Sequence, residues 1–413
     1  MAVSKTQLHT IIRSASLFLG LLVLFVAGTL LHDQFLTIDN QRDVLWQVSG
    51  NGILAVGMTL VILTAGIDLS VGSILSVGTV VCAMLLMERE VNHASDFAIP
   101  CFALVVGGLV AGAFGKLAPP ALRGRARTGA SLGLGAVALV IAAAWALSCV
   151  SHGFGVVGVL LLVPPVGLVL GAVSGTIIAK GKLQPFIVTL AMMVSAVGFA
   201  KFIAGYGGQV HPIYFGDAAT EAVAPAAFES LAENIPVLGK DLIPVPGIFF
   251  AVCAVVAALL LAKTRTGRYI YAVGGNEETA RLSGINTDRV KIFVYAASGL
   301  LSALAGVLYC AQYQQGKADA GFTRELDAIA AVVIGGTSLM GGRGGIGGTV
   351  VGVFIFGYLS NIMNLLGIST EFQDVFKGLI IVLAVLLQEG VLVRWIRAAF
   401  SWIRDTFAKP ATS

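Results

Sequence analysis

From Ser14 to Leu31 the chain runs 18 residues without a charge, and similar apolar runs recur along it, divided by short stretches rich in glycine and charge. A helix crossing the roughly 30 Å hydrocarbon core of a bilayer needs about 20 mainly apolar residues at about 1.5 Å of rise each. Twelve segments meet that requirement, near 14–35, 44–65, 70–87, 98–116, 129–150, 155–178, 186–206, 246–262, 292–312, 326–340, 347–366 and 376–393. The pattern predicts an all-α, polytopic transmembrane bundle, with 1–413 forming a single membrane domain. Short polar or glycine-rich breaks separate the second segment from the third and the tenth from the eleventh, so either pair could be re-entrant. The first run is longer than a signal-peptide core and no small-x-small site follows before His32 and Asp33, so it reads as a retained span.

Basic residues then set the orientation, because cytoplasmic loops carry the excess of Lys and Arg. With twelve spans and the N-terminus inside, nineteen of the 26 Lys and Arg fall on the cytoplasmic side, which predicts both termini there. The same topology makes 207–245 a periplasmic loop; it carries Asp217, Glu221, Glu229, Glu233 and Asp241 against Lys240. The basic segment 263–291 becomes a cytoplasmic loop. No extramembrane segment reaches the roughly 50 residues a further domain needs.

Composition narrows the function. The chain is 57% hydrophobic and 12% charged, whereas soluble domains carry about 25% charged residues. A soluble enzyme is excluded, and the net charge of +4 is not gathered into a stripe that would track nucleic acid. The five cysteines lie singly in apolar stretches and the histidines form no HExxH pair, so neither a metal nor a cofactor is expected.

The glycine-rich GGRGGIGGT at 341–349 superficially matches nucleotide-binding loops. A P-loop needs Lys before its Thr, and Gly348 stands there instead; the segment reads as a turn with close helix approach. Small residues spaced by four, at Gly167, Gly171 and Gly175, at Ser298, Ser302 and Gly306, and at Gly344, Gly348 and Gly352, predict helices packed backbone to backbone.

Polar residues inside apolar runs are the candidate chemistry, since an intramembrane carboxylate costs at least about 2.5 kcal/mol. Asp68 and Ser70 interrupt the run from Ile53 to Leu86, where Asp68 either caps the next helix or borders a transport path. Thr189, Ser195, Gln312 and the i, i+3 pair Asn361 and Asn364 are the others; the asparagines either bond between helices or line a polyol pathway. The transport path is expected to be polar but uncharged, formed by some of Asp68, Ser70, Thr189, Asn361 and Asn364. In the cytoplasmic segment 274–285, Asn276 has an N-cap side chain, Glu277 and Glu278 suit a first turn, and Gly284 suits a helix stop, predicting a short amphiphilic helix.

GILAVGMTLVILTAGIDLSVGS (52–73), AKGKLQPFIVTL (179–190), GRYIYAVGGNEETARLSGI (267–285), LDAIAAVVIGGTSLMGG (326–342), GYLSNIMNLLGIS (357–369) and FKGLIIVLAVLLQ (376–388) together make the chain resemble the permease subunits of ribose, xylose and galactose type ABC importers. Against that pattern the stretch 98–155 is longer, which suggests one extra helical hairpin on a ten-helix core.

The resemblance implies a multi-pass protein of the bacterial inner membrane that translocates a monosaccharide. Its implied partners are a periplasmic sugar-binding protein, a cytoplasmic ABC ATPase subunit that hydrolyses the ATP, and a second permease copy, with membrane lipid around them. It further assigns 274–285 to the coupling helix, where Glu278, Ala280 and Gly284 fit an EAA-x3-G pattern with Thr279 in place of the middle Ala. Ala280 and Gly284, four apart, are expected on one face docked to the ATPase. The competing class is an ion-coupled transporter or channel, which would be expected to carry paired intramembrane acids or a proton relay.

Overall fold

The computed structural model describes residues 5–86, 155–205, 208–213, 226–237 and 240–388. The predicted spans at 98–116 and 129–150, and with them the extra hairpin, lie outside the described residues.

Helix α1 (Lys5–Leu31) is followed by α2 (Ile38–Leu63), whose first turn is capped by the Thr37 hydroxyl accepting the Asn40 N–H. After a non-helical break comes α3 (Val71–Leu86), then α4 (Val156–Gly181) and α5 (Pro185–Ala204). Pro185 stands at the start of α5, where a missing N–H costs no helix bond. Outside the bundle lie β1 (His211–Pro212), the short α6 (Ala226–Glu229) and the hairpin of β2 (Asn234–Val237) with β3 (Lys240–Pro244). Next are α7 (Val245–Lys263), α8 (Arg265–Gly275), α9 (Glu277–Leu282) and α10 (Thr287–Tyr313). The chain closes the described region with β4 (Gln315–Gly316), antiparallel to β1, and then α11 (Arg324–Ile334), α12 (Ile346–Leu365) and α13 (Thr370–Gln388).

Six of these helices, α2, α4, α5, α7, α10 and α12, are long and apolar enough to cross a membrane. The chain is a polytopic helical membrane protein. The tenth predicted span is corrected: α11 has 11 residues, about 16 Å of helix, half of what a crossing requires. Glycine stops it. Gly336 takes φ +84°, its N–H donates to the Val333 carbonyl and the Thr337 N–H donates to that of Val332, closing the end as a Schellman turn. Beyond it the chain stays non-helical to Gly345, as the turn reading of the glycine-rich stretch expects. The third predicted span is 16 residues long, about 24 Å.

Helix α10 is the pillar of the bundle, and the glycine spacing explains why α4 lies so close to it. A methyl added at Gly171 would stand 2.1 Å from the Tyr295 carbonyl oxygen, and one at Gly167 would stand 2.1 Å from that of Gly299. On the other side Gly306 meets the Leu75 carbonyl of α3, and on α12 Gly348 and Gly352 meet the carbonyls of Gly335 and Ala331.

The connection from α10 to α11 folds back into the bundle alongside α3. Thr79 Oγ1 donates to the Lys317 carbonyl at 2.9 Å, and the Gly321 N–H donates to Ser76 Oγ at 2.9 Å. This return carries Arg324 from the end of α10 to the level of the first turns of α3.

Candidate transport site

Asp68 is 1% exposed. In the break between α2 and α3 its Oδ1 accepts the Ser70 N–H at 3.0 Å and the Ser70 hydroxyl at 2.6 Å, while Oδ2 accepts the Ser298 hydroxyl of α10 at 3.0 Å. Thr189 of α5 donates to the neighbouring Ile67 carbonyl at 3.2 Å. The carboxylate thus ties the irregular 64–70 segment to the pillar helix, and Ala65 at φ +61° turns the chain into it. Asp68, Ser70 and Thr189 border neither of the two cavities that Asn364 lines. Asp68→Ala leaves buried donors without an acceptor, which costs about 1–3 kcal/mol for each unpaired group. It should lower the unfolding temperature of the purified protein by several degrees, and Asp68→Asn, which keeps an acceptor oxygen, by less. Equal losses in the two variants would show that the charge, rather than the acceptor, matters.

In the segment 274–285 the expected short helix is α9. Asn276 Oδ1 accepts the Thr279 N–H at 2.8 Å, and Glu277 pairs with Lys291 at 2.7 Å and with Arg281 at 3.4 Å. Gly284 follows the helix at φ +84°. The expectation that Ala280 and Gly284 share an outward face is corrected. Ala280 is 4% exposed and packs into the core, while Gly284 lies past the helix end, exposed. The i, i+4 rule does not hold across a helix that stops at Leu282. The apolar group this segment presents outward is Leu282 itself, 84% exposed beside the exposed Glu278. Leu282 carries no signal in the sequence beyond being the one large aliphatic residue in the short helix.

The glycine turn meets the end of α8 at a backbone junction. The Gly342 N–H donates to the Leu63 carbonyl at the end of α2, and a methyl at Gly274 of α8 would overlap that same oxygen at 1.7 Å. The end of α8, the end of α2 and the glycine-rich turn before α12 are thus in backbone contact.

Polar side chains from five helices converge elsewhere, on a cavity of about 400 Å³, within the usual size of ligand sites. Its walls include Asn51 of α2, Arg324 and Asp327 of α11, Ser360 and Asn364 of α12, and Lys377 of α13. A second cavity of about 450 Å³ adjoins it and is lined by Asn40, Trp46, Asn234 and Asn361 among others; Gln47, Tyr313 and Asn364 border both. Together their walls present polar groups from Asn234 of β2 to Lys377 of α13.

Asn361 and Asn364 lie on these walls and also bond between elements. Asn361 exchanges two hydrogen bonds with Asn40, at 2.8 and 3.1 Å, and Asn364 Oδ1 accepts from Gln373 at 2.7 Å. Gln312 borders the inner cavity and donates to the Trp46 carbonyl at 3.1 Å. Charged side chains stand on the same walls. Arg324 donates to Asn51 Oδ1 at 2.8 Å, Asn51 approaches Asp327 at 3.5 Å, and Lys377 lies 4.0 Å from Asp327 and 3.3 Å from Asp374. Of the residues on the two cavity walls, Arg42, Arg324 and Lys377 are cationic and Asp43 and Asp327 anionic, with Asp374 pairing Lys377 from outside the walls.

A family model described as the branched-chain amino acid transport system / permease component matches residues 126–385. The chain is 37% identical over 370 residues to the ribose import permease protein of Haemophilus influenzae, covering 89% of this chain and 91% of that one. It is 31% identical to the xylose transport system permease protein of Escherichia coli, covering 85% of each. With the galactose/methyl galactoside import permease protein of E. coli the identity is 29%, over 94% of this chain and 97% of that one. No solved structure matches it. With its polytopic helical fold and a family match across most of its length, the chain belongs to the permease-component family of the branched-chain amino acid transport system, in the company of sugar import permeases.

Proposed function

We propose that the chain is the membrane-spanning permease subunit of an ATP-driven importer that moves a monosaccharide across the bacterial inner membrane. The observation that carries this reading is the pair of adjoining polar cavities inside an otherwise apolar bundle, in a chain whose relatives are named for ribose, xylose and galactose import. A neutral polyol needs donors and acceptors to replace its water, held weakly enough to let it leave.

In this account 1–413 is one permease domain with both termini in the cytoplasm, and 98–155 adds a hairpin to a ten-helix core. A periplasmic binding protein delivers the sugar to the 207–245 side. A cytoplasmic ATPase docks on 263–291 and hydrolyses the ATP, and a second copy of the chain completes the path. The ion-coupled reading has less support, because Asp68, the carboxylate that would anchor a relay, is engaged by Ser70 and Ser298.

Ser360→Trp tests the path directly. The indole would fill part of the inner cavity, and uptake into vesicles reconstituted with the partner subunits should fall at least about tenfold, equivalent to about 1.4 kcal/mol or more on the barrier, while the complex still assembles. Uptake at the unmodified rate would place the path elsewhere.

A further inference from the structure

The inner cavity carries more than an uncommitted passage requires. Thr323 adopts φ +65°, a conformation that β-branched residues rarely take and that tends to be held at functional positions. This turn sets Phe322, 81% exposed, on the cavity wall next to Arg324. The Arg324 guanidinium lies 5.1 Å from the centre of the Tyr309 ring, Nε donates to the Ala320 carbonyl at 3.1 Å and Nη1 donates to Asn51 at 2.8 Å. No carboxylate among the described residues lies within ion-pair distance of it. A guanidinium has five N–H donors, so the fork is held in place from behind with donors left over for the cavity. Asp327, one turn further along α11, offers acceptor capacity on the same helix face.

We propose that Arg324, Asp327, Asn51 and Phe322 form a binding subsite for one neutral monosaccharide ring, and that Arg324 is a specificity-determining residue of the permease itself. The inference rests on the proposed function and deepens it: the permease, as well as its binding protein, selects the solute. The chemistry is that of carbohydrate recognition. A planar fork and a carboxylate address neighbouring hydroxyls as donor and acceptor, and an aromatic ring covers the C–H face of the sugar. The neutrality of the ring rests on the proposed function; the wall itself carries Arg324 and Lys377 against Asp327, with Asp374 pairing Lys377 from outside it.

Trp46 supplies the probe. Its ring is 5.5 Å from that of Tyr313, which borders both cavities. The full-length permease in lipid nanodiscs is titrated with ribose, xylose, galactose and, as an anionic control, gluconate, with tryptophan fluorescence as the readout and Trp46→Phe identifying the contribution of that ring. At least one neutral sugar should give a saturable change. The affinity should weaken about tenfold or more in Arg324→Gln, as the loss of a charge-assisted hydrogen bond implies, and also in Phe322→Ala, whose exposed ring can be removed without disturbing the core. Tighter binding of gluconate than of any neutral sugar, unchanged affinity in both variants, or no response in a wild-type permease that transports with its partners would overturn the subsite. Failure of the wild type to transport any of these sugars would instead count against the permease reading.

Discussion

Leu282→Asp should leave the permease in the membrane and abolish both sugar-stimulated ATP hydrolysis and uptake, with a loss of at least about tenfold, since a single well-packed apolar anchor at an interface is worth about 2 kcal/mol or more. The expectation follows from exposure. Leu282 is 84% exposed at the end of α9, on a segment whose interior residue, Ala280, is already buried. An exposed aliphatic side chain on a polar turn, which the proposed topology puts in the cytoplasm, is what a docking partner would cover. A cysteine at this position should react with a membrane-impermeant reagent only after the vesicle is opened on the cytoplasmic side, and the presence of the ATPase should protect it. Full stimulation by Leu282→Asp would show that force enters through another surface; Tyr271, whose hydroxyl donates to the Gly344 carbonyl at 2.9 Å, marks the nearest alternative.

Gly171→Leu should yield no folded protein. The α4–α10 contact has no room even for a methyl, because a Cβ on Gly171 would sit 2.1 Å from the Tyr295 carbonyl oxygen. Overpacking commonly costs about 1–3 kcal/mol and more where neither backbone can move. In lipid, close backbone approach is what holds such helices together, so separating them also removes the packing that replaces the hydrophobic drive. Gly198→Ala is the control. On α5 no atom lies within 4 Å of the added methyl, and replacing a mid-helix glycine there should stabilise by about 0.5–1 kcal/mol. Size-exclusion profiles and melting curves of the two variants make the comparison. A monodisperse, normally melting Gly171→Leu protein would mean that the helices do not pack as described.

These two sites also show what the sequence can and cannot disclose. The glycine spacing in α4 and α12 is readable because one local pattern, a small residue every fourth position, has one physical use in lipid. Asn276 and the α9 start are readable for the same reason, since capping is decided within four residues. The boundary of α11 is not. A window of about 20 residues averages Leu326–Ile334 with the glycine-rich tail that follows, so a half-length helix and a full span give similar hydropathy. Treating 326–340 as a span places Arg324 in a loop, when the fold-back along α3 carries it inside. The cavity itself is beyond reach, because Asn51, Arg324 and Lys377 come from distant positions and meet only once three helices have packed. Asp68 stands out as a polar break in an apolar run, yet its role turns on Ser298, 230 residues away.

The central claim is that ATP hydrolysed by a partner, and not an ion gradient, moves a monosaccharide through this chain. Its most direct test is uptake of radiolabelled ribose, xylose and galactose by proteoliposomes containing the permease, its ATPase and its binding protein, with ATP supplied on the ATPase side and ionophores used to collapse every ion gradient. The account predicts uptake of at least one of these sugars that requires ATP and persists after the gradients are gone. Uptake that proceeds without ATP and stops when the ionophores are added would contradict it.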